Sequence, residues 1–410
     1  MKYIITLLLF FLLPVRFLIP TLSLYGMSWL SSLLLVIEVA LLGCGLLYAV
    51  FLWKEIRFNR LSKFLLVLYV IYFIYIYFQV FVSQQVPRDL MMDVPEENFV
   101  FFRDFLIQFL SMFLVLGFRK YIDFTFLAKL SVILSFLTFF AYFNVVDFRV
   151  YGLLGVSDIQ ISEEDGIITN FKVAWYMAFA FFCNYIVRGK WMNVKLINEI
   201  IFYLCSTVFV FGLFLTIKRG PIISFMVVCG LVFYIKYRKK SLLLLLLVLL
   251  LGGVFGGFVI GFMEESASGL VDRFTTITEG GGSGRFGSDD SVYGTALGQI
   301  KESPVFGSYF RLLKSTYTDR GAYPHNIILE LLMTGGLLLS IPFFIVIWKA
   351  LRNGIRLLKH GGDQSLSTLC YTYILMTLMT SSSLLFKTEF WLFMAILCTY
   401  NVNKLNPEYE

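Results

Sequence analysis

The sequence has few charged residues and only two histidines among its 410 residues. Charged residues make up 15% of the chain, whereas an average soluble domain has about 25%. Hydrophobic residues make up 59%, and these roughly 240 residues could supply about a dozen helices of the 20 or so residues that cross a bilayer. This composition excludes an ordinary soluble enzyme, a disordered chain and a secreted disulfide scaffold. Because the apolar runs are continuous rather than alternating, a transmembrane β-barrel is also excluded.

Cysteine is scarce too, and each of the six cysteines lies inside an apolar run, so neither a disulfide nor a zinc cluster in a loop is predicted: Cys44, Cys183, Cys205, Cys229, Cys370 and Cys398. The formal charge of +7 does not indicate nucleic acid, because basic residues in a multi-pass membrane protein mostly mark cytoplasmic loops. We predict no cofactor, no metal site and no nucleic-acid partner.

Lys2 and the apolar run after it resemble a signal peptide. There is no small-residue cleavage site, however, and Pro14 and Arg16 interrupt the run, so it is predicted to be a kinked or short first span.

The apolar runs predict an all-α polytopic membrane protein with about twelve transmembrane helices and one large outer-face loop that contains short helices. The predicted spans are 3–22, 28–53, 62–83, 99–118, 124–146, 171–187, 196–217, 221–237, 241–263, 326–348, 366–386 and 388–403. Residues 1–263 form a bundle of about nine spans in this interpretation, residues 264–325 form the large loop with the catalytic residues, and residues 326–410 add about three spans.

The charges of the short connections alternate along the chain. One set of connections is basic, with Lys54, Arg57, Arg60 and Lys63; Arg119 and Lys120; Arg188, Lys190 and Lys195; Lys236, Arg238, Lys239 and Lys240; and Lys349, Arg352, Arg356 and Lys359. The intervening set holds most of the acids, with Asp89, Asp93, Glu96 and Glu97, then Asp158, Glu163, Glu164 and Asp165. The positive-inside rule therefore predicts that both termini face the cytoplasm.

The large loop, residues 264–325, is more polar than a connector needs to be, and long loops often carry functional sites. Its tract Gly280–Gly282 is of the kind found in flexible linkers. A cap at Ser288, Asp289 or Asp290 is predicted to start a short amphipathic helix that ends before Pro304. The apolar residues of this helix recur at helical spacing and are predicted to pack rather than to form a site: Val292, Ala296, Leu297 and Ile300.

The two histidines differ in their surroundings. His325 lies where the large loop enters a span, and it is either a structural residue or the natural general base of the outer face, since its charge can change near neutral pH. His360 lies among basic residues on the inner side and is predicted to be a solvated loop residue.

Cations at the outer face form the other candidates. Lys218 and Arg219 precede Gly220 and Pro221 in an outer-face turn, where they either reach lipid headgroups or form an anion clamp, because arginine offers a forked set of donors that suits phosphate. Arg285 follows the glycine tract. It is either a solvated arginine or a residue that binds a substrate which must enter and leave the site.

Two further groups of charges leave a structural and a functional interpretation open. Arg16 and Glu38 could pair between the first two spans, although charge inside a membrane suggests function by default. Asp289 and Asp290 could bind a divalent ion, but helix capping is the preferred interpretation.

Four segments resemble the bacterial O-antigen polymerase and ligase superfamily of membrane glycosyltransferases. They are Ile217-Lys218-Arg219-Gly220-Pro221, Gly284-Arg285, Glu302-Ser303-Pro304-Val305-Phe306-Gly307, and His325-Asn326-Ile327-Ile328-Leu329-Glu330 through Gly335-Gly336-Leu337. The order and spacing of the segments carry the resemblance over about residues 196–350. The sequence departs from the family pattern at Lys218 (usually serine), Tyr293 (in place of a tryptophan nearer the arginine) and Ser303 (usually asparagine).

The resemblance implies transfer of a glycan from a polyprenyl-diphosphate carrier on the periplasmic face of the bacterial inner membrane. It implies His325, Arg285 and Arg219 as catalytic residues, and Lys218, Arg273, Tyr323 and Asn326 as substrate-binding residues. The expected partners are an undecaprenyl-diphosphate-linked donor and acceptor, membrane lipids and a polysaccharide chain-length regulator.

Polymerase and ligase share these motifs. The large loop carries six basic and eight acidic residues, which favours a polymerase over a ligase that must bind a phosphorylated lipid A core. The alternative from another class is a lipid-linked oligosaccharide flippase or other transporter.

Overall fold

Long apolar runs fold into helices because a helix satisfies its own backbone polar groups where water is absent. A computed structural model describes residues 2–16, 18, 27–84, 98–145, 170–215, 219–237, 291–313, 322–380, 383–384 and 387–400. Within these ranges all regular structure is helical. The α-helices are α1 (Lys2–Phe10), α2 (Ser28–Phe51), α3 (Arg60–Tyr77), α4 (Asn98–Phe118), α5 (Phe124–Val145), α6 (Asn170–Ile186), α7 (Lys195–Leu215), α8 (Arg219–Tyr237), α9 (Val292–Glu302), α10 (Ile327–His360), α11 (Ser365–Leu378) and α12 (Thr388–Cys398).

The all-α prediction is confirmed over the described residues. Five helical stretches are long and apolar enough to cross a membrane, namely Trp29–Phe51, Arg60–Ser83, Asn98–Tyr121, Lys195–Phe214 and Ile327–His360. The remaining apolar helices are shorter, at 10–17 residues each. Every predicted span coincides with a helix except 241–263, which lies outside the described ranges together with the glycine tract at 280–282. The count of about twelve spans and the periplasmic position of the large loop stay predictions.

The first span is irregular at Pro14, where the sequence predicts a kinked or short span. Helix α1 passes into a π-helical turn, Phe11–Val15, which contains Pro14. Proline has no backbone N–H and its ring disturbs the preceding turn, so a regular helix cannot continue through it. Arg16 follows at once and binds Glu38 of α2 through two hydrogen bonds, Nε to Oε2 at 2.9 Å and Nη2 to Oε1 at 2.5 Å. Arg16 and Glu38 therefore pair between the first two spans, which is the arrangement that the structural interpretation requires.

The basic connections meet at one end of the bundle, which we call the basic end (residues 52–59, 119–123, 187–194, 361–364 and 399–400). Asp363 accepts a hydrogen bond from Thr125 and pairs with Lys190. Gln364 accepts one from Arg119 at 3.3 Å and one from the Tyr400 hydroxyl at 2.5 Å. These contacts link connections that are distant in sequence. The acidic connections at 89–97 and 158–165 lie outside the described ranges, so the charge alternation and the orientation of this end in the membrane stay predictions.

The centre of the bundle is built around α12. From Phe390 to Cys398 each residue of this helix has an exposure of 0%. The Trp391 ring lies 4.7 Å from the Tyr69 ring and 5.6 Å from the Phe343 ring, both in edge-to-face geometry. Such pairs add to the free energy of burial. Helix α12 therefore fixes α3 and α10 relative to each other.

Helix α10 is longer than its predicted span of 326–348. It continues as an amphipathic helix that buries Asn353 and Leu357 and ends at Gly361, which has a φ of 79°. The prediction that His360 lies in a loop is therefore wrong. It is the last residue of α10, although its side chain is exposed as expected. The apolar run marks only the membrane-like part, and the polar turns that follow it belong to the same helix.

Candidate active site

The site is built on α9, which is the amphipathic helix predicted in the large loop. The predicted caps were wrong: Ser291 caps the helix, and its hydroxyl accepts from the Gly294 N–H at 3.1 Å. The helix ends at Glu302, before Pro304, as predicted. Val292 and Ala296 are buried in a small cluster with Leu312, Ala322 and Met333. The apolar face of α9 therefore packs against α10, which confirms the packing interpretation for Val292, Ala296 and the partly buried Ile300. It is wrong for Leu297, whose side chain is 49% exposed.

The segment after α9 enters a break in helix α10. The Leu337 and Leu338 N–H groups donate to the Pro304 and Val305 carbonyls, each at 2.9 Å. On the other side of the break, the Ser308 and Tyr309 N–H groups both donate to the Met333 carbonyl at 3.0 Å. A break leaves helix donors and acceptors unsatisfied, and the segment Pro304–Tyr309 supplies partners for them.

Two glycines make this insertion possible. Gly336 has a φ of 55°, and a Cβ there would lie 2.4 Å from the Val305 carbonyl. Gly307 has a φ of 67°, and a Cβ there would lie 2.5 Å from the N atoms of Gly335 and Gly336. Residues that carry a side chain rarely adopt this left-handed backbone conformation. Two motifs that the sequence presents separately, Ser303–Gly307 and Gly335–Leu337, are thus the two halves of one backbone contact.

Helix α3 is also attached to the break. The residues that directly follow α3 form a π-helical turn, Phe78–Ser83. From this turn, the Gln79 side chain donates to the Thr334 carbonyl at 2.6 Å. Gln79 is buried, so it supplies a partner to a carbonyl that the break would otherwise leave inside the bundle.

His325, Asn326 and Tyr323 lie together at the start of α10. Asn326 caps the helix, because its Oδ1 accepts from the Ile328 and Leu329 N–H groups at 2.9 and 3.3 Å. His325 has a φ of 53°, which is uncommon for a residue other than glycine. Its ring lies 4.3 Å from the Tyr323 ring at an angle of 62°. Strain of this kind concentrates at functional sites, which agrees with the prediction for His325 without testing it.

A buried ion pair lies beside this segment. The Arg311 guanidinium lies 3.7 Å from the Glu330 carboxylate, and the two side chains are 0% and 1% exposed. Glu330 also accepts from the Ser383 hydroxyl at 2.5 Å and from the Leu384 N–H at 3.0 Å. Sequence reasoning missed Arg311, which stood among the unassigned charges of the large loop. Its signal is indirect: Glu330, five residues after the histidine, belongs to the same motif and needs a cation if it is buried.

The backbone around Arg311 is held on both sides. Gln299 of α9 donates to the Arg311 carbonyl at 3.2 Å and accepts from the Leu313 N–H at 3.1 Å. The Leu312 N–H donates to the Ala322 carbonyl at 2.9 Å. Helix α9 therefore positions Arg311 from one side and the segment leading to His325 positions it from the other.

Tyr309 completes the described part of the loop. Its hydroxyl donates to the Glu302 carboxylate. This negatively charged partner raises the pKa of Tyr309 to about 12, because ionising the phenol would break the hydrogen bond and place two negative charges together.

The predicted cations are less fully described. Lys218, Arg273 and Arg285 lie outside the described ranges. Arg219 is the first residue of α8, and Pro221 lies in the first turn of that helix as predicted; the Arg219 side chain is not described. The structure therefore brings His325, Asn326 and Tyr323 together, while the anion clamp stays a prediction. Among the described residues no group of three or more His, Cys, Asp or Glu side chains could hold a metal ion.

A family profile described as O-antigen ligase matches residues 204–344. The matched range begins in α7 and ends within α10. It includes Arg219, the large loop, the helix break and His325. No curated protein and no solved structure matches the chain.

Proposed function

We propose that the protein is an O-antigen polymerase of the O-antigen polymerase and ligase superfamily, because residues 204–344 match the family profile described as O-antigen ligase. It joins undecaprenyl-diphosphate-linked oligosaccharide repeat units on the periplasmic face of the bacterial inner membrane. The observation that carries the proposal is that the matched range contains the contact between Ser303–Gly307 and the break at Gly336, directly after the first turn of α10 and His325.

The proposed reaction breaks the bond between C1 of the donor sugar and the diphosphate oxygen, and the acceptor hydroxyl forms the new glycosidic bond. Negative charge grows on the diphosphate as it leaves. Arg219 and Arg285 stabilise this charge, since fixed donors are most effective in a site of low dielectric. Paired arginine donors suit a diphosphate and need no metal. His325 takes the proton of the acceptor hydroxyl or orients that hydroxyl.

The charge of the outer face supports the choice of polymerase. The large loop has two more acidic than basic residues, and a further acidic stretch lies at Glu163–Asp165. Such a surface disfavours a polyanionic acceptor such as the phosphorylated lipid A core. The ligase remains the second candidate because the matching family profile is described by that activity.

Deleting the gene in its host and examining the lipopolysaccharide banding pattern separates these candidates. A polymerase predicts core that bears one repeat unit and a missing ladder. Bare core with accumulated lipid-linked polymer would instead establish the ligase. A flippase predicts repeat units that stay on the cytoplasmic leaflet, with no periplasmic polymer and no capped core.

Substitution of His325 and of Arg285 then tests the site. His325→Ala and, separately, Arg285→Ala are expected to abolish the ladder while the protein remains at its normal level in the membrane, since loss of one charge-stabilising donor typically costs about 10²–10³ in rate. His360→Ala is the matched control, because His360 lies at the opposite end of α10 with an exposed side chain. A near-normal ladder from both His325→Ala and Arg285→Ala would contradict the proposed function.

A further inference from the structure

We propose that Arg311 and Glu330 are positioning residues for His325, and this inference rests on the proposed role of His325. The pair acts on His325 indirectly. Arg311 lies against the Tyr323 ring, which packs on the imidazole, and Glu330 lies in the first turn of α10, which begins two residues after His325. Arg311 is distinct from the predicted diphosphate ligands Arg219 and Arg285, because its guanidinium is already paired with the Glu330 carboxylate.

The depth of the pair is the first argument. Removing two charges from water carries a desolvation penalty that their attraction often fails to offset, so apolar residues of similar volume commonly give equal stability. Arg311 and Glu330 are nevertheless both fully buried. Stability alone is therefore a weak explanation for the pair, whereas a fixed geometry beside His325 accounts for its position.

Glu330 holds the start of α10 against the connection between α11 and α12. Its two carboxylate oxygens accept from Ser383 and from the Leu384 backbone. One turn earlier in α10, the Asn326 amide donates to the Met379 carbonyl at the end of α11 at 3.4 Å. These contacts fix the first turn of α10 and hence the backbone of His325, which precedes Asn326.

Arg311 controls the ring that packs on His325. Its guanidinium carbon lies 3.7 Å from the centre of the Phe310 ring and 5.5 Å from the centre of the Tyr323 ring. A planar guanidinium is attracted to aromatic faces, and lysine does not reproduce this contact. The Tyr323 ring in turn lies 4.3 Å from the imidazole. Displacing Arg311 would therefore free the Tyr323 ring and, with it, the imidazole.

A double variant, Arg311→Met with Glu330→Gln, tests this role. It removes both charges together, so no uncompensated buried charge remains, and glutamine can still accept from the Leu384 N–H. The matched control is Arg188→Met with Glu199→Gln. This makes the same two changes in an ion pair with an N–O distance of 2.8 Å near the basic end, where the side chains are 42% and 30% exposed.

The decisive measurement is the rate at which diethylpyrocarbonate modifies His325 in purified protein that carries His360→Gln and no histidine tag, so that His325 is the only histidine. The double variant is expected to unfold at a temperature close to that of the parent, to react severalfold faster at His325, and to form about 10- to 100-fold less polymer in cells, because small misplacements of a reacting group have effects of this size. The control is expected to match the parent in each measurement.

An unchanged modification rate in the double variant would overturn the inference. Should the double variant fail to fold, Arg311→Lys gives the same test, because lysine keeps a charge beside Glu330 but does not reproduce the guanidinium contact with the Tyr323 ring; an unchanged rate there would overturn the inference as well. Failure of the proposed function has a different signature. In that case the modification rate rises as expected, while His325→Ala still produces a normal ladder.

Discussion

The two ends of the helical bundle are held together by different kinds of interaction. At the basic end, partly exposed side chains such as Lys190 and Asp363 connect one turn to another. At the opposite end, the Arg311–Glu330 pair is fully buried, and the main contact across the break in α10 is made by backbone atoms. Glycines with a positive φ occur at both ends, but an added Cβ would overlap the backbone only at Gly307 and Gly336, and His325 at this end has a positive φ although it is not glycine. The end that contains the candidate site therefore carries most of the energetically costly features.

This difference separates the requirement for folding from the requirement for function. Exposed ion pairs contribute little to the stability of the fold and tolerate substitution. The basic end can therefore be held by several weak contacts. Buried charges and left-handed residues persist only when the surrounding structure imposes them. We therefore expect equivalent substitutions at the two ends to differ in their effects, first on stability and then on product formation.

The largest expected difference is between two glycines. Gly336→Ala should destabilise the fold by about 4 kcal/mol or more, because the new methyl group would overlap the Val305 carbonyl. Gly361→Ala at the basic end should cost only about 1–2 kcal/mol, since Gly361 also has a positive φ but has nothing within 4 Å of the added carbon. The fraction of monodisperse protein that remains after heating in detergent measures both. Equal losses for the two variants would contradict the comparison.

The basic end was largely predictable from the sequence. Continuous apolar runs predicted the helix positions, and the basic connections whose contacts are described, at Arg119, Lys190 and Asp363, lie at one end. The Arg16–Glu38 pair was also predictable, because two opposite charges in neighbouring apolar helices have few other partners. These inferences depend on local composition or on adjacent helices, so no knowledge of long-range packing was needed.

The opposite end was only partly predictable. The motif that contains His325 and Asn326 could be found, but the contact between Gly307 and Gly336 joins segments that lie 29 positions apart through backbone atoms. The Arg311–Glu330 pair had the same difficulty, because nothing in the composition of the large loop distinguishes Arg311 from its other cations. Burial selects Arg311, and burial depends on how α9 packs against α10.

An intermediate effect is expected for two asparagines that have the same structural role at opposite ends. Asn59 caps α3 and its amide donates to the Cys398 carbonyl at 2.8 Å. Asn326 caps α10 and donates to the Met379 carbonyl. Replacing either by alanine should cost about 1–2 kcal/mol, as is usual for a helix cap.

The two asparagine variants should nevertheless differ in product formation. Asn326→Ala should weaken the O-antigen ladder, because Asn326 fixes the backbone next to His325, whereas Asn59→Ala should leave the ladder intact at a temperature where both variants remain folded. Thermal unfolding in detergent and lipopolysaccharide gels give the two measurements. A ladder that weakens equally in both would show that stability alone governs product formation.

The smallest effect is expected for Tyr309→Phe, which separates side-chain from backbone contributions within the loop that enters the break. The hydroxyl of Tyr309 binds Glu302 near the surface, while its backbone N–H binds the Met333 carbonyl inside the break. Because the backbone contact is unchanged in phenylalanine, thermal stability should stay within about 0.5 kcal/mol of the parent, as for most surface substitutions.

The pH dependence of the same variant gives a second measurement. The pKa of Tyr309 is raised in the folded protein, so its hydrogen bond stabilises the fold fully below the ordinary tyrosine value of about 10 and is lost as pH rises through about 12. The parent and Tyr309→Phe should consequently differ by the same small amount at every pH near neutrality, and this difference should disappear only in strong alkali. A large loss of stability at neutral pH would mean that side chains, and not the backbone, hold the loop in the break of α10.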